Sequence, residues 1–139
     1  MKLVLALSTV ILSSCFEERR TSMVYRLPDT FYGEALVQFG DPVCEPLPRV
    51  DGKWIVTFSR TGTACTLTPI EYGWGHDEWL RTSESGVTRP VVDTGDIRGG
   101  SVGGCCRADK VCFPVESFFV QVQPMVTAGE RCQRLRSGG

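Results

Sequence analysis

A chain of 139 residues with 15 basic and 16 acidic side chains carries a formal net charge of −1. Charges of both signs are scattered along it and give no basic field for gripping a polyanion, so nucleic acid is not an expected partner. With 42% apolar residues and a mean hydropathy of −0.04 the chain can bury a core, which excludes a disordered polymer.

The first 14 residues read as a secretory leader. Lys2 and the free amine are followed by an uncharged run from Leu3 to Leu12, interrupted only by Ser8 and Thr9. That run stops near half of the roughly 20 apolar residues a membrane-spanning helix needs, and Glu17-Glu18-Arg19-Arg20 follows at once. The segment Leu12-Ser13-Ser14-Cys15 resembles the lipobox of bacterial lipoproteins: a branched apolar residue at −3, then small residues that let an extended backbone enter a signal peptidase. The resemblance implies diacylglycerol on the Cys15 sulfur, cleavage after Ser14 and a further acyl chain such as palmitate on the new amine. Several chains at about 0.8 kcal/mol per buried CH₂ hold a domain on a membrane without a protein span. Phe16 stands where an inner-membrane retention signal would carry Asp, so the expected destination is the outer membrane.

The remainder reads as a tether over residues 15–23 and a single β-rich domain over 24–139. Glu34 to Phe39 alternates loosely between Gly33 and Gly40-Asp41-Pro42. Glu45-Pro-Leu-Pro48 is a stiff connection. Asp51-Gly52 supplies a tight turn before Lys53–Ser59, where Trp54, Val56 and Phe58 share one face. Further strands are expected over Ala64–Leu67 and Asp77–Thr82, after which Gly99–Gly104 breaks the periodicity. The last strand is expected over Ser117–Gln123, ended by Pro124. Thr127-Ala-Gly-Glu130 has the spacing of a capping box opening a short C-terminal helix, with Arg131, Arg134 and Arg136 on a solvated face. Short strands with frequent Gly and Pro turns predict a mainly β fold: a small antiparallel sandwich or partly open barrel.

Setting Cys15 aside leaves Cys44, Cys65, Cys105, Cys106, Cys112 and Cys132, an even set in an exported chain, and disulfides are the default. Neighbouring cysteines close a strained ring, so Cys105 and Cys106 should each reach a distant partner. The favoured assignment among the 15 connectivities joins Cys44 to Cys65, and Cys105 and Cys106 to Cys112 and Cys132. Cys-Cys-x5-Cys lacks the paired spacing of structural zinc, and His76 is remote in sequence, so no metal or other cofactor is expected. No Cys-x-x-Cys is present to supply a redox dithiol.

Local stretches between Tyr25 and Val120 resemble an uncharacterised family of bacterial secreted proteins and lipoproteins, a domain of unknown function. They are Tyr25-Arg-Leu-Pro28 with Tyr32-Gly33, Phe39-Gly40, Glu45-Pro-Leu-Pro48 with Asp51-Gly52, and Glu71-Tyr-Gly-Trp-Gly-His-Asp-Glu-Trp79. The resemblance implies fold and location and carries over no catalytic residue.

The last stretch holds the best candidate ligand site: Tyr72, Trp74, His76, Asp77 and Trp79 gather rings and charges in eight residues, a composition suited to stacking on a sugar or an amphipathic ligand. The alternative is that the indoles pack as core or rim, which is the favoured expectation, because aromatic rings contribute mostly by burial. His76 beside Asp77 suggests a general base, yet neighbours in a strand face opposite sides. Gly99–Gly104 lacks the Lys-Ser/Thr ending of a phosphate loop, and no hydrolase motif occurs. The expected protein is therefore a non-enzymatic, lipid-anchored interaction or ligand-binding domain of the cell envelope, its partner the membrane and an envelope protein or glycan. The alternatives are a small hydrolase or thiol-redox protein, and a carbohydrate or peptidoglycan binder.

Overall fold

The computed structural model describes residues 19–91, 97–120 and 128–137. The leader and Cys15 lie outside the described residues. Among the described residues nine strands and one helix follow in order: β1 Met23–Pro28, β2 Gly33–Gln38, β3 Arg49–Val50, β4 Lys53–Thr57, β5 Thr63–Cys65, β6 Glu78–Thr82, β7 Thr88–Pro90, β8 Ile97–Cys106, β9 Cys112–Val120 and α1 Ala128–Ser137. They form a five-stranded sheet of order β3-β4-β1-β6-β7 and a four-stranded sheet of order β5-β2-β9-β8.

The sandwich is mainly β as expected, but its sheets are mixed, not wholly antiparallel. β1 runs parallel to both β4 and β6, and β2 runs parallel to β5. The cause is the route of the chain. It alternates between sheets: β1 in the first, β2 in the second, β3 and β4 in the first, β5 in the second, β6 and β7 in the first, β8 and β9 in the second. The returns from β4 to β6 and from β2 to β5, each by way of the opposite sheet, restore the original direction, as in a crossover connection. Reading neighbours in sequence as hairpin partners applies only to β3–β4, β6–β7 and β8–β9. At the first of these, Asp51 and Gly52 have φ of 49° and 78°, the pair of left-handed residues that a two-residue hairpin turn needs.

Period-two alternation places the core. Tyr25, Leu27, Ala35, Val37, Phe39, Val56, Phe58, Phe118 and Val120 are buried between the sheets. Alternate residues of the four-stranded sheet turn outward, where Leu36, Val115 and Cys105 meet Cys132 and Leu135 of α1. The second sheet is thus covered on both faces. Arg134, expected on a solvated helix face, instead donates to the carbonyls of Glu34 at 2.6 Å and Thr61 at 2.8 Å, fastening α1 to the sheet.

Several boundaries move. The central strand β1 lay in a region assigned no strand, partly inside the expected tether. The tether is engaged with the domain from Arg19 onward, where Arg19 bridges Trp74 and Met23 is buried. The expected strand Lys53–Ser59 ends at Thr57, Ala64–Leu67 becomes Thr63–Cys65, and Asp77–Thr82 starts one residue later. Gly99–Gly104 lies within β8, the edge strand paired to β9, where exposed glycines forfeit little packing. Gly99 is required there: its φ is +143°, and a Cβ would fall 2.7 Å from the Ser117 carbonyl oxygen. β9 starts at Cys112, five residues before the expected strand, and is described to Val120. Of the expected helix cap, Thr127 lies outside the described residues.

Candidate functional site

The parallel pairing puts the beginnings of β1, β4 and β6 at one end of the five-stranded sheet, with Met23 beside Trp54 and Val24 beside Glu78. Residues 71–77, which enter β6, wrap this end and are laced to residues 19–23. The Arg20 N–H donates to the Trp74 carbonyl at 3.0 Å. The His76 N–H donates to Ser22 Oγ at 3.0 Å. Glu71 accepts from the Thr21 N–H at 2.9 Å and from Trp54 Nε1 at 3.2 Å. The Thr21 donation foremost, with Trp54 adding to it and burial opposing, holds the Glu71 carboxyl below the usual range. Asp77 accepts from the Arg20 guanidinium through both oxygens and from the Met23 N–H at 2.9 Å. The Asp77 hydrogen bond raises the Arg20 pKa above its ordinary value.

These contacts divide the five residues expected to form a ligand site. Tyr72 and Trp74 are 62% and 72% exposed. His76 is exposed, and with Arg19, Arg20, Ser22, Trp74 and Gly75 it lines a shallow cleft of about 380 Å³. Trp79 is not part of that cleft. It packs against the core, its ring 4.3 Å from that of Tyr25 and edge-on to Phe118 at 4.8 Å. Asp77 is a structural acceptor, and among the described residues no hydrogen bond joins it to the His76 ring. A platform of paired indoles and a His76–Asp77 dyad are both absent from this arrangement; an exposed phenol and indole beside two arginines remain.

Behind the cleft lies a polar cluster that sequence reading missed, since its members are 91 residues apart. The Tyr25 hydroxyl donates to Glu116 at 3.4 Å, with Met23 Sδ at 3.1 Å. Burial, the largest effect in each case, pushes both the phenol and the Glu116 carboxyl above their ordinary values, and the Asp77 charge adds to it. The only signal in the sequence was a lone Glu in the inward register of β9.

At the second sheet the six cysteines pair as Cys44–Cys65, Cys105–Cys132 and Cys106–Cys112. Five of them line one cleft of about 290 Å³ with Asp41, Arg107 and Arg136. Asp41 is buried there and ion-paired to Arg107. Burial pushes its carboxyl up, but the Arg107 and Val43 hydrogen bonds outweigh that and leave it below the usual range. Asp41, Cys44 and Cys65 stand close enough to share a metal ion, but the two sulfurs are bonded to each other and offer no thiolate.

No family model matches the chain. No curated protein matches it in sequence either. The resemblance to an uncharacterised domain family therefore rests on the residues quoted for it. Among solved structures, the chain is similar to a crystal structure of a Bacillus anthracis protein provisionally described as a lipoprotein. The two are 22% identical and superpose with a TM-score of 0.69 over 82% of this chain and 90% of the other. At that identity the likeness establishes the shared fold.

Proposed function

We infer that the protein is a lipid-anchored lipoprotein of the cell envelope whose domain works by contact and not by catalysis. One observation carries the reading. Of seven cysteines, the six from Cys44 to Cys132 are consumed in three disulfides, leaving Cys15, in its lipobox, as the single thiol for acylation. Disulfides belong to exported chains, and the odd cysteine stands where lipoproteins are modified. The fold shared with a protein described as a lipoprotein agrees with this. Against the redox alternative, the paired sulfurs provide no low-pKa thiol. Against a hydrolase, the Asp77 carboxylate is committed to Arg20 and Met23, and among the described residues no hydrogen bond orients the His76 ring. A glycan-binding role keeps Trp74 but loses Trp79 to the core.

The test is the intact mass of protein extracted from membranes, with and without reduction and alkylation, beside Cys15→Ala. Cleavage before Cys15, added acyl mass that Cys15→Ala lacks, and six thiols released only by reduction are expected. A wild-type product without acyl mass would overturn the anchor, and thiols free before reduction would overturn the disulfide frame.

A further inference from the structure

The cleft end of the five-stranded sheet carries two large rings that are mostly exposed. Tyr72 and Trp74 are 62% and 72% exposed in a turn whose backbone is fixed, because Trp74 bridges Arg19 and its carbonyl accepts from the Arg20 N–H. The rings are therefore presented by a rigid scaffold. Their position relative to the anchor is set by covalent geometry. Arg19 is four residues from Cys15, and a fully extended segment of that length spans at most about 14 Å. Since Arg19 is bridged to Trp74, the turn cannot stand far from whatever surface holds Cys15. An amphipathic ring with a polar edge is the side chain that settles at the headgroup boundary of a bilayer.

The charges nearby permit such a contact. Asp77 is neutralised by Arg20, Glu78 by Lys53, and Glu71 is occupied by the Thr21 N–H and Trp54 Nε1. Approach to the headgroups therefore strips no unpartnered carboxylate among these three. Arg19 faces solvent beside the rings, but Glu17 and Glu18 precede it, so net attraction to anionic lipid is small and the rings carry the contact.

We propose that the Tyr72–Trp74 turn, with Arg19 beside it, is a phospholipid-contact face that fixes the orientation of the domain on the bilayer holding Cys15. The proposal rests on the lipoprotein reading. It makes the first folded contact of the chain, residues 19–23 against 71–77, the device that converts a flexible lipid attachment into a defined pose. The cysteine-lined cleft belongs to the other sheet.

The acylated full-length protein, its mass checked first, is reconstituted into vesicles of phosphatidylcholine and phosphatidylglycerol with or without bromine on the acyl chains. Tryptophan emission is compared between wild type and Trp74→Phe. Trp54 and Trp79 serve as internal controls, one tied to Glu71 and the other packed in the core. Brominated lipid is expected to dim the wild type and to spare Trp74→Phe, and high salt should leave the difference intact because rings and not charge make the contact. Equal quenching in acylated wild type and variant would overturn the proposal while leaving the anchor standing. So would a Trp74 signal that ignores lipid and responds to peptidoglycan fragments, which would make the turn a glycan site. A mass without acyl chains would overturn the anchor and this proposal together.

Discussion

The two sheets are held by different chemistry. In the five-stranded sheet, no disulfide is found among the described residues; its strands are tied to the core by the stacked rings of Tyr25, Phe58 and Trp79 and at its membrane-proposed end by the Arg20–Asp77 pair. The four-stranded sheet places five cysteines on its strands and on α1, with Cys44 in the loop after β2. The difference follows from what the strands can bury. β1 contributes Met23, Tyr25 and Leu27 to the core, whereas β8, rich in glycine, buries only Cys105. A strand that removes little apolar surface from water gains little from the hydrophobic effect, and covalent links supply what packing does not.

The comparison breaks most severely at Tyr25. Replacing this fully buried ring with Ala removes the contacts to Phe58, Trp79 and Phe118 at once and opens a cavity between the sheets. A loss of about 3–5 kcal/mol is expected, measured by urea unfolding of the oxidised protein. On the other side, Cys105→Ser with Cys132→Ser opens the longest of the three loops, 27 residues, and should cost about 2–4 kcal/mol. Because α1 retains Leu135 and the Arg134 bonds to β2, hydrogen exchange in α1 should accelerate while the amides of β1 stay protected. If the double variant exposed β1 as readily as α1, the two sheets would form one cooperative unit and the division would fail.

The fold was legible where the signal is local. Alternation in Lys53–Thr57 and Phe118–Val120, the Asp51-Gly52 turn and the favoured cysteine assignment all rest on neighbours in sequence or on compartment. What was not legible is long-range. β1 has Tyr25 and Leu27 inward with Arg26 between them, an alternation too short to stand out, and nothing local reports that it will lie between two parallel partners. β8 reads as a loop because a glycine-rich edge carries no periodicity. The candidate site was legible as a cluster of residue types, and its division was not. Trp74 and Trp79 look equivalent in sequence, and only the start of β6 at Glu78 turns one inward while the other stays in the turn before it.

The finest separation concerns pH, through carboxyls whose shifts have opposite signs. Glu71 and Asp41 sit below the ordinary range in the folded state, so the unfolded chain binds more protons than the folded one as pH falls through that range. Their contribution to stability is complete above the unfolded values and is lost in acid. Glu116 is raised, principally by burial, so the folded state holds its proton more tightly, and that contribution is complete below the ordinary glutamate value and is lost as pH rises through the elevated one. Glu116→Gln, which keeps the shape and removes the charge, should therefore raise the melting temperature slightly at neutral pH. At the acid end, where Glu116 is already protonated, it should leave the melting temperature unchanged, while Glu71→Gln should lower it at neutral pH. A Glu116→Gln variant that melts earlier than wild type at neutral pH would mean that the charged carboxylate, held by the Tyr25 hydroxyl and the Arg20 field, stabilises the junction between the two sheets, and that the five-stranded sheet is bound to its partner by charge as well as by its rings.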